Sequence, residues 1–72
     1  MTALSTQPMQ APGRLLSLAD VEKETSLSKS TIRRRIREDK FPAPIHLGSN
    51  RVAWVERDIE DWKIATIEAA RT

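Results

Sequence analysis

Between Ser28 and Arg37 the sequence Ser-Lys-Ser-Thr-Ile-Arg-Arg-Arg-Ile-Arg sets five cations and three hydroxyls around two isoleucines spaced four residues apart. On a helix, residues four apart lie one turn above each other, so Ile32 and Ile36 mark a buried stripe. At 100° per residue, Ser30, Arg33, Arg34 and Arg37 fall on the side away from that stripe, with Thr31 and Arg35 on a flank. The planar guanidinium of arginine pairs two donors with O6 and N7 of guanine or grips a phosphate, and a single helix fits the major groove of a duplex. A run of arginines on one helix is by itself most often a solvated face. The neighbouring sequence decides between these readings.

No other group of residues forms a constellation for catalysis. The chain has one histidine, no cysteine and no glycine-rich phosphate loop, so an enzyme is not expected. His46 lacks a second His or Cys to complete a metal site and reads as a surface or phosphate-facing residue. Glu56, Asp58, Glu60 and Asp61 suit the positive end of a helix dipole better than a cation, since adjacent carboxylates without a loop geometry rarely hold a metal. Neither a metal nor a cofactor is expected.

The elements that must carry the basic stretch are legible around it. Ser17 followed three residues later by Asp20 is a capping-box pattern, and Leu16 and Val21 are spaced for a hydrophobic staple. A first helix is expected over 18–24. Thr25, Ser26 and Leu27 break it, and Ser28 stands where an N-cap accepts bonds from the free amides of a second helix over 29–38. Two helices joined by three or four residues is the helix-turn-helix layout. Asp39, which tolerates a left-handed conformation, ends the second helix, and Pro42 and Pro44 forbid its continuation.

Residues 45–47 and 51–54 alternate apolar and polar around the turn formers Gly48, Ser49 and Asn50, which predicts a short hairpin. Its core face would carry Ile45, Leu47, Val52 and Trp54, with His46 and Arg51 outward. A last helix starts at Glu56, with Ile59, Trp62 and Ile67 on its buried face. Trp54 and Trp62 resemble base-stacking platforms in type, yet their spacing places them under the hairpin and the last helix as core residues.

Seventy-two residues form one domain at most, and without disulfides its support is a small hydrophobic core. No apolar run nears the roughly 20 residues needed to cross a bilayer, and the first residues lack the order of a secretory signal. A cytoplasmic, nucleoid-associated protein with no membrane partner is the expectation. The formal net charge is +2, but 28–51 holds seven basic against two acidic residues while the rest of the chain is net negative. The molecule thus has a positive pole in its middle third. Residues 1–13 mix Thr, Ser, Gln and Pro with almost no charge or periodicity, the composition of a disordered tail, leaving 14–72 as the ordered domain.

Several strings together resemble a known family. Ser28-Lys29-Ser30-Thr31-Ile32, then Phe41-Pro42-Ala43-Pro44-Ile45-His46-Leu47-Gly48, then Trp54, then Asp58-Ile59-Glu60-Asp61-Trp62 look like the AlpA-type phage regulators, which are similar to excisionases and to the DNA-binding half of MerR proteins. The resemblance covers roughly 15–64. It implies an α+β, mainly α fold, a winged helix-turn-helix of three helices with a two-stranded hairpin wing between the second and third. Ser26 and Asp39 stand where the family usually has glycines, and Arg33 where many members carry an aromatic residue. Arg33 is closer to the MerR pattern, in which an arginine at this place touches DNA.

By the same resemblance, the DNA-binding residues are Lys29, Ser30, Thr31, Arg33, Arg34 and Arg37 on the recognition helix and Ser49, Asn50 and Arg51 on the wing. Ser30 and Arg34 would meet base edges, Lys29 and Arg33 phosphate, and Arg37 the backbone farther along. Arg51 at the hairpin would reach the neighbouring minor groove or its phosphates, and Thr31 stands between packing and binding. The implied function is a sequence-specific regulator acting on double-stranded DNA, linked to a prophage or integrated element, monomeric in solution and cooperative or oligomeric on DNA. Two rivals use the same arginines: an excisionase that bends DNA, and a module whose basic face docks on an acidic protein.

Overall fold

The computed structural model describes residues 13–71. The expected tail therefore lies outside the described residues, apart from Gly13. That glycine has φ +90°, and a Cβ there would crowd the Glu56 side chain, 3.1 Å from its Cβ.

Element order is β1 (Leu15–Leu16), α1 (Leu18–Thr25), α2 (Lys29–Arg37), β2 (Ile45–Gly48), β3 (Arg51–Val55) and α3 (Glu56–Arg71). The three strands form one antiparallel sheet in the order β1-β3-β2. This is an α+β, mainly helical arrangement of the winged-helix kind. A third strand joins the hairpin that the sequence predicts. Leu15 and Leu16 pair with Val55 and Trp54, and the amide of Glu56 donates to the carbonyl of Arg14 at 2.9 Å. A two-residue strand is too short to show an alternating pattern, which is why it was not legible.

Helix α1 starts as its sequence dictates. Ser17 Oγ accepts from the amide of Asp20, and Asp20 Oδ2 accepts from the amide of Ser17, both at 3.1 Å. These reciprocal bonds satisfy amides that the first turn leaves without partners. Leu16 and Val21, the staple pair, are both fully buried. The helix ends at Ser26, which is left-handed with φ 63° and donates its amide to Glu22 at 2.8 Å.

The core joins Leu16, Val21, Ile32, Phe41, Trp54 and Ile59, with Leu18, Leu27, Ile36, Val52 and Trp62 packed against it. Every helix contributes. Ile32 is fully buried and Ile36 half-buried, so α2 presents the stripe that its spacing predicts.

Two expectations about the core are corrected. Ile45 and Leu47 are 40% and 48% exposed, and Ala53, not expected in the core, is buried beside Trp54. The register gives the reason: Ile45 faces Ala53, His46 faces Val52 and Trp54 faces Leu16. Cross-strand partners share a side of the sheet and neighbours along a strand alternate, so Ile45 lies on the side opposite Val52 and Trp54. An irregularity between His46 and Gly48 takes Leu47 out of the pairing. Ile67 is also exposed, at 48%. Sixteen residues make a helix about 24 Å long, and α3 runs past the end of this small core.

Candidate nucleic-acid interface

Helix α2 is fixed at both ends and along one side. Ser28 Oγ accepts from the amide of Thr31 at 3.2 Å and donates to Thr31 Oγ1 at 3.0 Å. The carbonyl of Ser28 takes the amide of Ile32 at 2.9 Å. Among the described residues the amides of Lys29 and Ser30, in the first turn at the positive end of the dipole, meet no acceptor. At the other end Lys40 donates its amide to Arg35 at 2.8 Å and Asp39 its own to Ile36 at 3.1 Å, with Asp39 left-handed at φ 61°. These are the two bonds of a Schellman cap, and they stop the helix at the residue that the sequence predicts.

With the isoleucines turned inward, Lys29, Ser30, Arg33, Arg34 and Arg37 are exposed. Thr31 and Arg35 are half-buried, and the Thr31 hydroxyl is engaged by Ser28. Among the described residues, one ion pair touches this side: Arg34 Nε lies 4.0 Å from Glu38 Oε2, with both side chains about half exposed. A pair of that length in high dielectric contributes little and does not hold the guanidinium back. The other cations of the helix have no carboxylate partner there.

The wing brings Ser49, Asn50 and Arg51 to its turn, all exposed. Asn50 adopts φ 60°, a conformation that Asn takes at low cost, and Gly48 pairs with Arg51. His46 is exposed, but its pairing with Val52 places it on the Val52 and Trp54 side of the sheet and not, as the sequence suggests, on the opposite side.

Helix and wing are tied by the loop between them. Trp54 Nε1 donates to the carbonyl of Pro42 at 2.9 Å, and Trp62 Nε1 to that of Lys40 at 3.3 Å. Phe41 inserts between these anchors and meets Trp62 edge-on, ring centroids 5.0 Å apart. Both indoles therefore hold structure: Trp54 is buried in the core, and Trp62 is half-buried against Phe41.

On the opposite charge pole, Lys63 of α3 joins Glu24 of α1 at 2.7 Å and Glu60 at 3.1 Å. The hydrogen bond from Lys63 holds the Glu24 carboxyl below the usual range, and the bond to Glu24, then that to Glu60, raises Lys63. Among the described residues no three of His, Cys, Asp and Glu are grouped to hold a metal ion. No helix there is long and apolar enough to cross a membrane.

The residues predicted from sequence for the interface thus occupy the outward side of one helix and one hairpin tip, except Thr31, which is half-buried and bonded to Ser28. The capping role of Ser28 is legible in the sequence, but the amides of Lys29 and Ser30, which Ser28 leaves unbonded, are not among the interface groups expected from it. Two capped helices joined by a three-residue turn and followed by a hairpin define a winged helix-turn-helix protein. Residues 14–67 match the sequence model of the prophage CP4-57 regulatory protein (AlpA) family. The chain belongs to this phage-associated regulatory family. It is also similar to an uncharacterized protein, ORF88, of Enterobacteria phage P4, 33% identical over 67 residues that cover 93% of this chain and 76% of that one. No solved structure matches.

Proposed function

We propose that this protein is a sequence-specific regulator that binds double-stranded DNA, placing α2 in the major groove and the β2–β3 wing on the neighbouring backbone or minor groove. The observation that carries the reading is the outward side of α2, where Lys29, Ser30, Arg33, Arg34 and Arg37 are exposed and at most loosely paired. Phosphate contacts fix register and a few side chains read bases. Arg34 and Ser30 meet base edges, and Lys29 and Arg33 meet phosphate. The unpartnered amides at the start of α2 suit a phosphate oxygen as well, since a helix N-terminus favours an anion. Arg37 holds the strand farther along, and Arg51 with Ser49 and Asn50 forms the wing contact. Membership in a phage-associated regulatory family supports the same reading.

A single module of this size buries about 600–1,000 Å² of protein surface on DNA, so useful affinity calls for adjacent copies on repeated sites. The protein is then monomeric in solution and cooperative on DNA. A prophage or integrated element is its setting, and excision of that element would use the same helix and wing.

The test is a heteronuclear NMR titration with duplexes from around the gene, paired with affinity against salt. Shifts should concentrate on 28–37 and 49–51, and with about five phosphate contacts log affinity should fall with log salt at a slope near −4. Affinity that ignores salt, or shifts elsewhere with an acidic protein as the sole binder, sinks the reading.

A further inference from the structure

Beyond the basic side, the molecule has an open recess of about 580 Å³ where the loop leaving α2 meets the first turns of α3. Phe41, Pro42 and Trp62 give it an apolar and aromatic floor, and Asp39, Asp58 and Asp61 stand at its rim. The three aspartates are exposed, and among the described residues none of them is in an ion pair. Lys63 is committed to Glu24 and Glu60, and the cations next to the aspartates in sequence, Lys40 and Arg57, form no ion pair with them among the described residues.

We propose that this recess is a docking site for a basic segment of a partner protein, taking a lysine or arginine together with an adjoining apolar side chain. Charge complementarity selects the partner. Three carboxylates without counterions repel a phosphate backbone and attract a cation, while the aromatic floor favours an alkyl stem and a guanidinium or ammonium resting against a ring. A bare metal ion does not fit, because the carboxylates do not converge into a ligand group. The recess is rigid where it matters: the indole of Trp62 is anchored to Lys40 and packed on Phe41, so a ligand meets a formed surface. Nothing in this proposal uses the outward side of α2, so a DNA-bound molecule keeps the recess available. A regulator needs such a second surface to pass its position on DNA to another protein.

The experiment titrates the full ¹⁵N-labelled chain with the capped peptide Ala-Arg-Leu-Lys-Ala and, separately, with Ala-Glu-Leu-Glu-Ala. The basic peptide should move the Trp62 indole resonance and the amides of 58–62 to saturation, and the acidic one should leave them in place. An exposed charge pair changes affinity by about two- to fivefold, so D58N/D61N should weaken the basic peptide about fivefold or more. Both positions are exposed, and that variant should keep its helical content. Equal responses to both peptides, a change below twofold in the double variant, or shifts confined to 28–37 overturn the proposal. So does movement of the 58–62 resonances with protein concentration alone, which assigns the recess to a second copy of this chain.

Discussion

Trp54 reaches from strand β3 to the carbonyl oxygen of Pro42, with its indole N–H 2.9 Å from the acceptor. One bond thus joins the strand carrying the wing arginine to the loop that leaves the basic helix. Trp54→Phe keeps most of the ring and removes the donor, leaving a partly buried carbonyl without its partner. The expected loss is about 1–3 kcal/mol. Each kcal/mol lowers the melting temperature of a domain this size by roughly 4–8 °C, which thermal denaturation followed by circular dichroism measures.

Left-handed backbone at Ser26 and Asp39 gives a second prediction. An L-residue there costs about 1–2 kcal/mol relative to glycine, and glycine returns roughly 0.5–1 kcal/mol of that through its greater freedom in the unfolded chain. Serine is less suited to the conformation than aspartate. Ser26→Gly should therefore stabilise the fold by up to about 1.5 kcal/mol and raise the urea midpoint accordingly, and Asp39→Gly should raise it less. A drop in both midpoints would contradict the backbone described for the two helix ends.

Arginine and lysine at the proposed interface should fail in different ways. Arg34→Ala should cost about 1–3 kcal/mol on the preferred duplex and flatten the preference at one base pair. Lys29→Ala should weaken all duplexes alike and reduce the salt slope by about one. Binding isotherms on matched and mismatched duplexes at several salt concentrations separate the two patterns.

Acid should loosen α1 from both of its ends. Bonds from the Ser17 amide and then the Ser17 side chain hold Asp20 below the ordinary aspartate value, and Lys63 does the same for Glu24. A carboxyl whose folded value is lowered stabilises the fold above its unfolded value, and that contribution is lost as pH falls through the folded one. Stability should thus decline in the range below the ordinary carboxylate values. Lys63 is raised, so its contribution persists through neutral pH and is lost only in strong base. Denaturation against pH for the wild type and for Glu24→Gln checks this: the variant should show a smaller acid decline.

The helices were legible in the sequence because their signals are local. Ser17 with Asp20, Ser28, Asp39 and the pair Ile32 and Ile36 each act within one or two turns, and the structure places all of them as expected. The left-handed state of Ser26 was hinted at only by the resemblance, in which a glycine is usual at that place. The hairpin was legible as a hairpin but not in its facing, since Ile45 and Leu47 alternate as well as Val52 and Trp54 do, and only pairing decides which alternation meets the core. Ile67 keeps the helical spacing of a buried residue, yet spacing carries no information about where the core ends. For the site, residue type and helical phase were enough to put the basic residues outward on α2. The recess was hidden because it needs residues 39–42 beside 58–62, a juxtaposition that no local pattern encodes.

Both indoles of this protein hang from carbonyls within one three-residue stretch, Lys40 to Pro42. Its ultraviolet emission is therefore a gauge of that corner and not of the whole chain. An unfolding curve recorded by fluorescence reports when the corner opens, and one recorded by ellipticity reports when the helices melt. If the two midpoints part, the corner is the weaker unit, and the angle between basic helix and wing is free to change before the domain comes undone.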